Sequence, residues 1–175
     1  MAYIDYEYYC SLYDGIDEKT FNRLEWEARK RLDNETTGID GIRKLKHAFP
    51  TDEDDAEAVK RCMCKLIAQM DAIERTEAEM KASAGYTKDE ATGALIGKII
   101  TSKSSGSESI SFATSNAAKA GTLEEKAISD MSIRDEVYYR IIRDCLSGTQ
   151  DRNGVNLLFK GAYPLRLEVI AWERF

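Results

Sequence analysis

The sequence predicts a mainly α protein: a small helical bundle with one long central helix, an inserted β-hairpin arm and an extended C-terminal strand. Three observations carry that prediction. Apolar residues recur at alternating three- and four-residue steps from Ala56 to Met80, as on one helical face. Residues 83–121 are rich in Ser, Gly, Ala and Thr and hold two runs with a two-residue rhythm. Large apolar side chains then return in alternation from Leu165 onward.

The chain opens with "YIDYEYYCSLYDG", where Tyr6, Tyr9 and Tyr13 share a helical face that Gly15 ends. Asp17 is a good N-cap for a helix over about 18–35 that buries Phe21, Leu24, Ala28 and Leu32. Residues 39–50 read as a short helical turn closed by Pro50. Acids Asp52 to Asp55 favour a helix N-terminus. The stripe that follows, Ala56, Val59, Met63, Leu66, Met70, Ile73 and Met80, implies a helix of about 28 residues, roughly 40 Å long. Other helices of the chain or a neighbouring subunit must cover it.

"LIGKIITSK" and "SESISFATS" flank "SSG" as the two strands of a hairpin. Its few anchors are Ile99 or Ile100, Ile110 and Phe112, and a lone hairpin is marginal in water, so it needs something to lie on. "NAAKAG" reads as a linker. Thr122 with Glu125, and Ser132 with Asp135, form two capping boxes. The second starts a last helix over about 132–147, with Val137, Ile141, Ile142, Cys145 and Leu146, before Gly148. "QDRNG" is a turn. The expected organisation is a helical bundle of residues 1–83 plus 122–162, an inserted arm over 84–121 and a docking tail over 163–175.

At 175 residues, 43% apolar and 32% charged, the chain suits one domain with a real core. No window approaches ~18 consecutive apolar residues, so no membrane span is expected. The acidic start does not look like a signal peptide, which predicts a cytosolic origin. The net charge of −6 sits in residues 1–83, with 13 basic against 19 acidic side chains, and argues against avid binding of phosphate backbones.

Chemistry is sparse. Cys10, Cys62, Cys64 and Cys145 are scattered, no CxxC occurs, and His47 is the one histidine. Buried or half-buried reduced thiols are expected, with no metal and no cofactor. There is no phosphate loop, dinucleotide fingerprint, nucleophile elbow or HExxH, so no catalytic residue is named and the chain is not expected to be an enzyme. The clusters Arg29–Lys30–Arg31 and Arg43–Lys44–Lys46 would suit a phosphate or an acidic partner. Interleaved with Glu25, Glu27 and Asp33, they read first as a salt-bridged surface.

Three stretches together resemble the head–tail connector (adaptor, head-completion) proteins of long-tailed bacteriophages. They are the tyrosine-rich opening with "IDEKTFNRLEWEARKRLDNET", the hairpin "GKIITSKSSGSESISFAT", and the finish "RIIRDCLSGTQDRNGVNLLFKGA". Two features depart from the family pattern: the insertion "QDRNGVN" after Thr149, and the added tail "YPLRLEVIAWERF".

The resemblance implies a non-enzymatic virion protein at the head–tail interface, assembled in the host bacterial cytoplasm. It would form an oligomeric ring, with twelve copies the expected number (a dodecamer), docked under the portal protein. It would bridge capsid to tail, meet a stopper or tail terminator, and continue a channel that double-stranded DNA passes without specific binding. Subunit contacts are expected at Ile99, Ile100, Ser109, Ile110, Phe112, Met63 and Met70. Portal docking is expected at Leu165, Leu167, Val169, Ile170, Trp172 and Phe175. Two other readings stand beside it: a small helical partner-binding or scaffold protein acting through the stripe of residues 56–80, and a DNA-binding protein using the two basic clusters.

Overall fold

The structure is a computed structural model that describes residues 2–82, 86–88, 95–104, 109–114, 126–128 and 130–164. It is mainly helical, with α1 (Tyr6–Leu12), α2 (Glu18–Glu35), α3 (Lys44–His47), α4 (Glu53–Ala82) and α5 (Met131–Leu146). Two compact units divide the chain: Met1–Lys65 with Ile141–Phe175, and Leu66–Arg140.

In the first unit, Asp5 caps α1 by accepting the N–H of Tyr8 at 2.8 Å. The rings of Tyr6 and Tyr9 lie 5.4 and 5.5 Å from Phe21 and seat α1 on α2. Gly15, at φ 102°, makes the reversal between them, a conformation that disfavours any side chain. Asp17 caps α2 as expected, accepting the N–H and the hydroxyl of Thr20, each at 2.9 Å. The inner face of α2 is Phe21, Leu24, Ala28 and Leu32, all buried, together with the less expected Glu25 and Asp33.

A tight turn, with Gly41 at φ 77°, returns the chain so that Thr37 and Arg43 form an antiparallel bridge. Gly38 lies so near the backbone of Gly161 that a Cβ there would sit 2.6 Å from the Gly161 oxygen. Asp52 starts α4 by accepting the N–H groups of Asp54 and Asp55. Val59, Cys62, Met63 and Cys64 are then all fully buried. Cys62 and Cys64 point about 200° apart on a helix, so α4 is enclosed on more than one side here. The thiols are free, and Cys10 is exposed rather than buried or half-buried.

The insertion after Thr149 folds as a closed loop. Gln150 bridges Asn156, Asp151 and Val155 pair through their backbones, and Gly154 turns at φ 78°. Val155, Leu157 and Tyr163 are buried.

In the second unit Leu66, Ile67, Met70 and Ile73 are buried, as are Ala127, Val137 and Tyr138. The Arg134 guanidinium donates to the carbonyl of Ala127 at 2.9 Å. Asp130 accepts the N–H of Ser132 at 2.8 Å, so Asp130 rather than Ser132 opens α5. The Asp130 contact takes the Ser132 N–H, three residues before the Asp135 N–H that the expected box would use. Three strands, β1 (Tyr86–Lys88), β2 (Leu95–Ser104) and β3 (Ser109–Thr114), pair antiparallel in the order β1-β2-β3. Ile100 is paired with Phe112 and Lys103 with Ile110, with a register shift between Ile100 and Ser102.

α4 is 30 residues, about 45 Å long. Its buried side chains are worth roughly 1.5–3 kcal/mol each when fully removed from water. Met63 and Met70, expected at a subunit interface, are buried within the chain and serve its own core. The same holds for most of the stripe read as a partner-binding face, from Val59 to Ile73.

Candidate functional site

The two basic clusters of the sequence come together in the first unit. One groove, of about 260 Å³, runs between the outer face of α2 and the α3 segment. Trp26, Lys30 and Asn34 line it from one helical row of α2, at i, i+4 and i+8, and Arg29 and Asp33 from the next row. Arg43 and Lys46 close it from the other side, placed there by the Thr37–Arg43 bridge. Trp26 is 56% exposed, and Lys30 Nζ stands 5.3 Å from its ring centroid in a cation–π contact.

The floor of the groove is held from beneath. Lys46 pairs with the buried carboxylate of Asp33 at 3.0 Å, and the Tyr3 hydroxyl donates to the other oxygen of that carboxylate. Tyr3 in turn stacks on Phe49 at 5.6 Å. Burial first, and then the bond to Asp33, raises the Tyr3 phenol well above its ordinary range, so it stays a donor. Arg29 lies 3.3 Å from Glu25, whose carboxyl is pushed up by burial and pulled back by that guanidinium. Lys30 and Arg43 have no carboxylate partner among the described residues, and both are exposed.

Lys44, between Arg43 and Lys46 in the chain, departs from the surface role read for its cluster. It is fully buried, and its ammonium donates to the carbonyls of Thr36 at 3.0 Å, Leu157 at 3.2 Å and Phe159. Three donors meet three acceptors, which satisfies the charged group completely. Burial lowers its pKa, with the nearby Lys160 adding to the effect, while Asp40 and Asp151 oppose it.

Asp151 is the second node of this polar hub. It accepts the N–H groups of Asn153 and Val155 and the Tyr163 hydroxyl. The Tyr163 N–H donates to Asp40, which also accepts the N–H of Ile42, and these bonds hold Asp40 below the usual carboxylate range. His47, read as a surface or capping residue, is exposed and meets the Tyr163 ring edge-on at 5.0 Å.

The neighbouring thiols act on one another: Cys145, with burial adding to the effect, raises the Cys62 thiol, and Cys62 holds the Cys145 thiol below its ordinary value. Among the described residues no group of three or more His, Cys, Asp or Glu side chains is placed to hold a metal. No helix among them is long and apolar enough to cross a membrane.

Of the residues expected at subunit contacts, Ile99, Ile100, Ser109, Ile110 and Phe112 lie in the β2–β3 pair, which is described by its backbone. Those expected to dock on a portal, Leu165, Leu167, Val169, Ile170, Trp172 and Phe175, lie outside the described residues. Neither set includes the groove, although both of its basic clusters are visible in the sequence. The missing signal was the i, i+4 row from Trp26 to Asn34, which puts the one aromatic beside the cations.

The chain matches no protein-family model, no curated protein and no solved structure.

Proposed function

We propose that this chain is a structural virion protein: a ring-forming head–tail connector subunit of a long-tailed bacteriophage, docked under the portal and bridging capsid to tail. The observation that carries the reading is the order of its elements. A tyrosine-rich first helix, an 18-residue second helix, a 30-residue helix, an antiparallel strand pair and a last helix follow one another as the resemblance places them. The small-residue strand pair, Leu95–Ser104 with Ser109–Thr114, is then an arm that lies on a neighbouring subunit, where main-chain hydrogen bonds supply affinity. The tail beyond Pro164 is a docking strand for the portal. The acidic surplus of the chain suits a channel through which DNA slides, since few lysine–phosphate contacts would retard it. The role is non-enzymatic.

The rival, a helical module that binds a partner through residues 56–80, is weakened because most of that stripe already lies in the chain's own core. The test is to mix the purified protein with the portal protein encoded beside it and measure the mass of the complex that co-elutes. One connector per portal subunit, lost on truncation after Pro164, which spares the buried Tyr163, is the expected result. Failure of the full chain to co-elute would overturn the reading.

A further inference from the structure

The groove between α2 and α3 has no part in the strand arm or the tail, yet it gathers four cations on an acidic chain. Four cations, Arg29, Lys30, Arg43 and Lys46, face it, against the single carboxylate of Asp33. Arg29 and Lys46 are each drawn to a buried carboxylate, which fixes their positions and consumes part of their charge. Lys30 and Arg43 are left to face whatever enters.

A matching feature stands elsewhere in the same unit. At the start of α4, Asp52 is occupied by the N–H groups of Asp54 and Asp55, and Asp55 accepts the N–H of Gln150 at 3.2 Å. Glu53 and Asp54 are exposed, and neither carboxylate has a partner among the described residues. Among the described residues, two carboxylates without a partner at the start of α4 therefore answer two groove cations that lack a carboxylate.

We infer that the α2–α3 groove receives the Asp52–Asp55 end of α4 from a second copy of this chain, with Glu53 and Asp54 meeting Lys30 and Arg43 beside the face of Trp26. The inference rests on the ring reading above and supplies it with a contact. The geometry favours this occupant over a nucleic acid. A long polyanion would run past the four cations of the groove onto the rest of a chain of net charge −6, whereas a short acidic helix end is matched in extent by the groove itself. Its volume suits two or three side chains. An exposed Trp flanked by Arg is also the composition of a protein-contact hot spot.

Because donor and acceptor patches are different surfaces, the contact is heterologous. Repetition gives a closed ring where the rotation per copy closes, and an open filament where it does not.

The experiment is a charge swap read by sedimentation velocity across a concentration series. Wild-type protein should self-associate at low salt, and weaken as salt screens the exposed pairs. The K30E/R43E double variant and the E53K/D54K double variant should each lose association by about tenfold or more. An equimolar mixture of the two should recover it, because each reversed patch then meets a complementary one. All four sites are on the surface, and unchanged circular dichroism would show that both variants fold.

A second measurement titrates a peptide of residues 51–60 into the wild-type protein, following Trp26 fluorescence in a Trp172→Phe background. Saturable binding that is lost in K30E/R43E is expected. Wild-type protein that stays monomeric at low salt and high concentration would overturn the inference, as would a mixture that fails to recover association. Inorganic phosphate binding as tightly as the peptide would also overturn it, since the groove would then be a general anion site. Co-elution with the portal keeps the two ideas separate. A protein that binds portal but fails the swap refutes this contact and leaves the connector reading intact, and the opposite pattern refutes the connector.

Discussion

Arg43 and Lys44 are neighbours in one short basic run, and they end in opposite kinds of site. Lys44 points inward to three carbonyls and is fully satisfied. Arg43 points outward and faces an open groove without a carboxylate partner. The first is a closed polar hub that joins distant segments. The second is an unfinished one whose charge is available. Partner completeness thus separates structural charge from recognition charge more sharply than residue type does.

The largest break in that comparison is Lys44→Ala. It removes three charge-assisted bonds and leaves the carbonyls of Thr36 and Leu157 buried without a donor, with that of Phe159 part-buried. A loss of about 3–5 kcal/mol in denaturant unfolding is expected. Gly38→Ala should come next. Its Cβ would meet the Gly161 oxygen at 2.6 Å, and backbone cannot yield as a flexible side chain does. About 1–3 kcal/mol is expected from the same measurement. Tyr163→Phe removes the bond donated to Asp151 and the one accepted from Asn153 Nδ2, and should cost about 1–2 kcal/mol. Arg43→Ala, by contrast, should lie within about 0.5 kcal/mol of wild type, as surface changes do. A stability loss as large as that of Lys44→Ala would erase the distinction between hub and groove.

The smallest effect concerns acid. Asp17 and Asp40 are both held below their ordinary value of 3.8 by hydrogen bonds, from Thr20 in one case and from the Tyr163 and Ile42 backbones in the other. The folded chain therefore binds fewer protons than the unfolded one as pH approaches that value. The stabilisation is fully present above pH 3.8 and is lost as pH falls through the depressed folded values. Thermal melts across the acid range should show a shallower decline in Asp40→Asn than in wild type.

Helix positions were legible because burial repeats with the helical period. Asp17, Gly15 and the α2 core face are where the spacing placed them. The start of α5 was less so, because Asp130 and Ser132 are both good capping residues and short-range preference does not choose between them. The hub was hidden for a different reason. A lysine is rarely buried, and the oxygens that bury Lys44 come from 8 and more than 100 residues away. The loop "QDRNG" announces a turn, but nothing in it announces that Asp151 will hold Tyr163. The groove lay between these cases. Its cations were plain, while their shared mouth depended on a bridge between Thr37 and Arg43 that no local pattern encodes.

Tyr163 also has a mechanical meaning. Its N–H is held by Asp40 and its hydroxyl by Asp151, one residue before Pro164. A pull on the chain beyond Pro164 therefore loads this clamp before it loads any helix. One bond leaves from the backbone of Tyr163 and the other from the far end of its side chain, so tension is shared between the α2–α3 turn and the 150–156 loop. Whatever takes hold of the last residues would be pulling on an anchor bolt set in the polar hub, and the hub would have to tear before the bundle began to unwind.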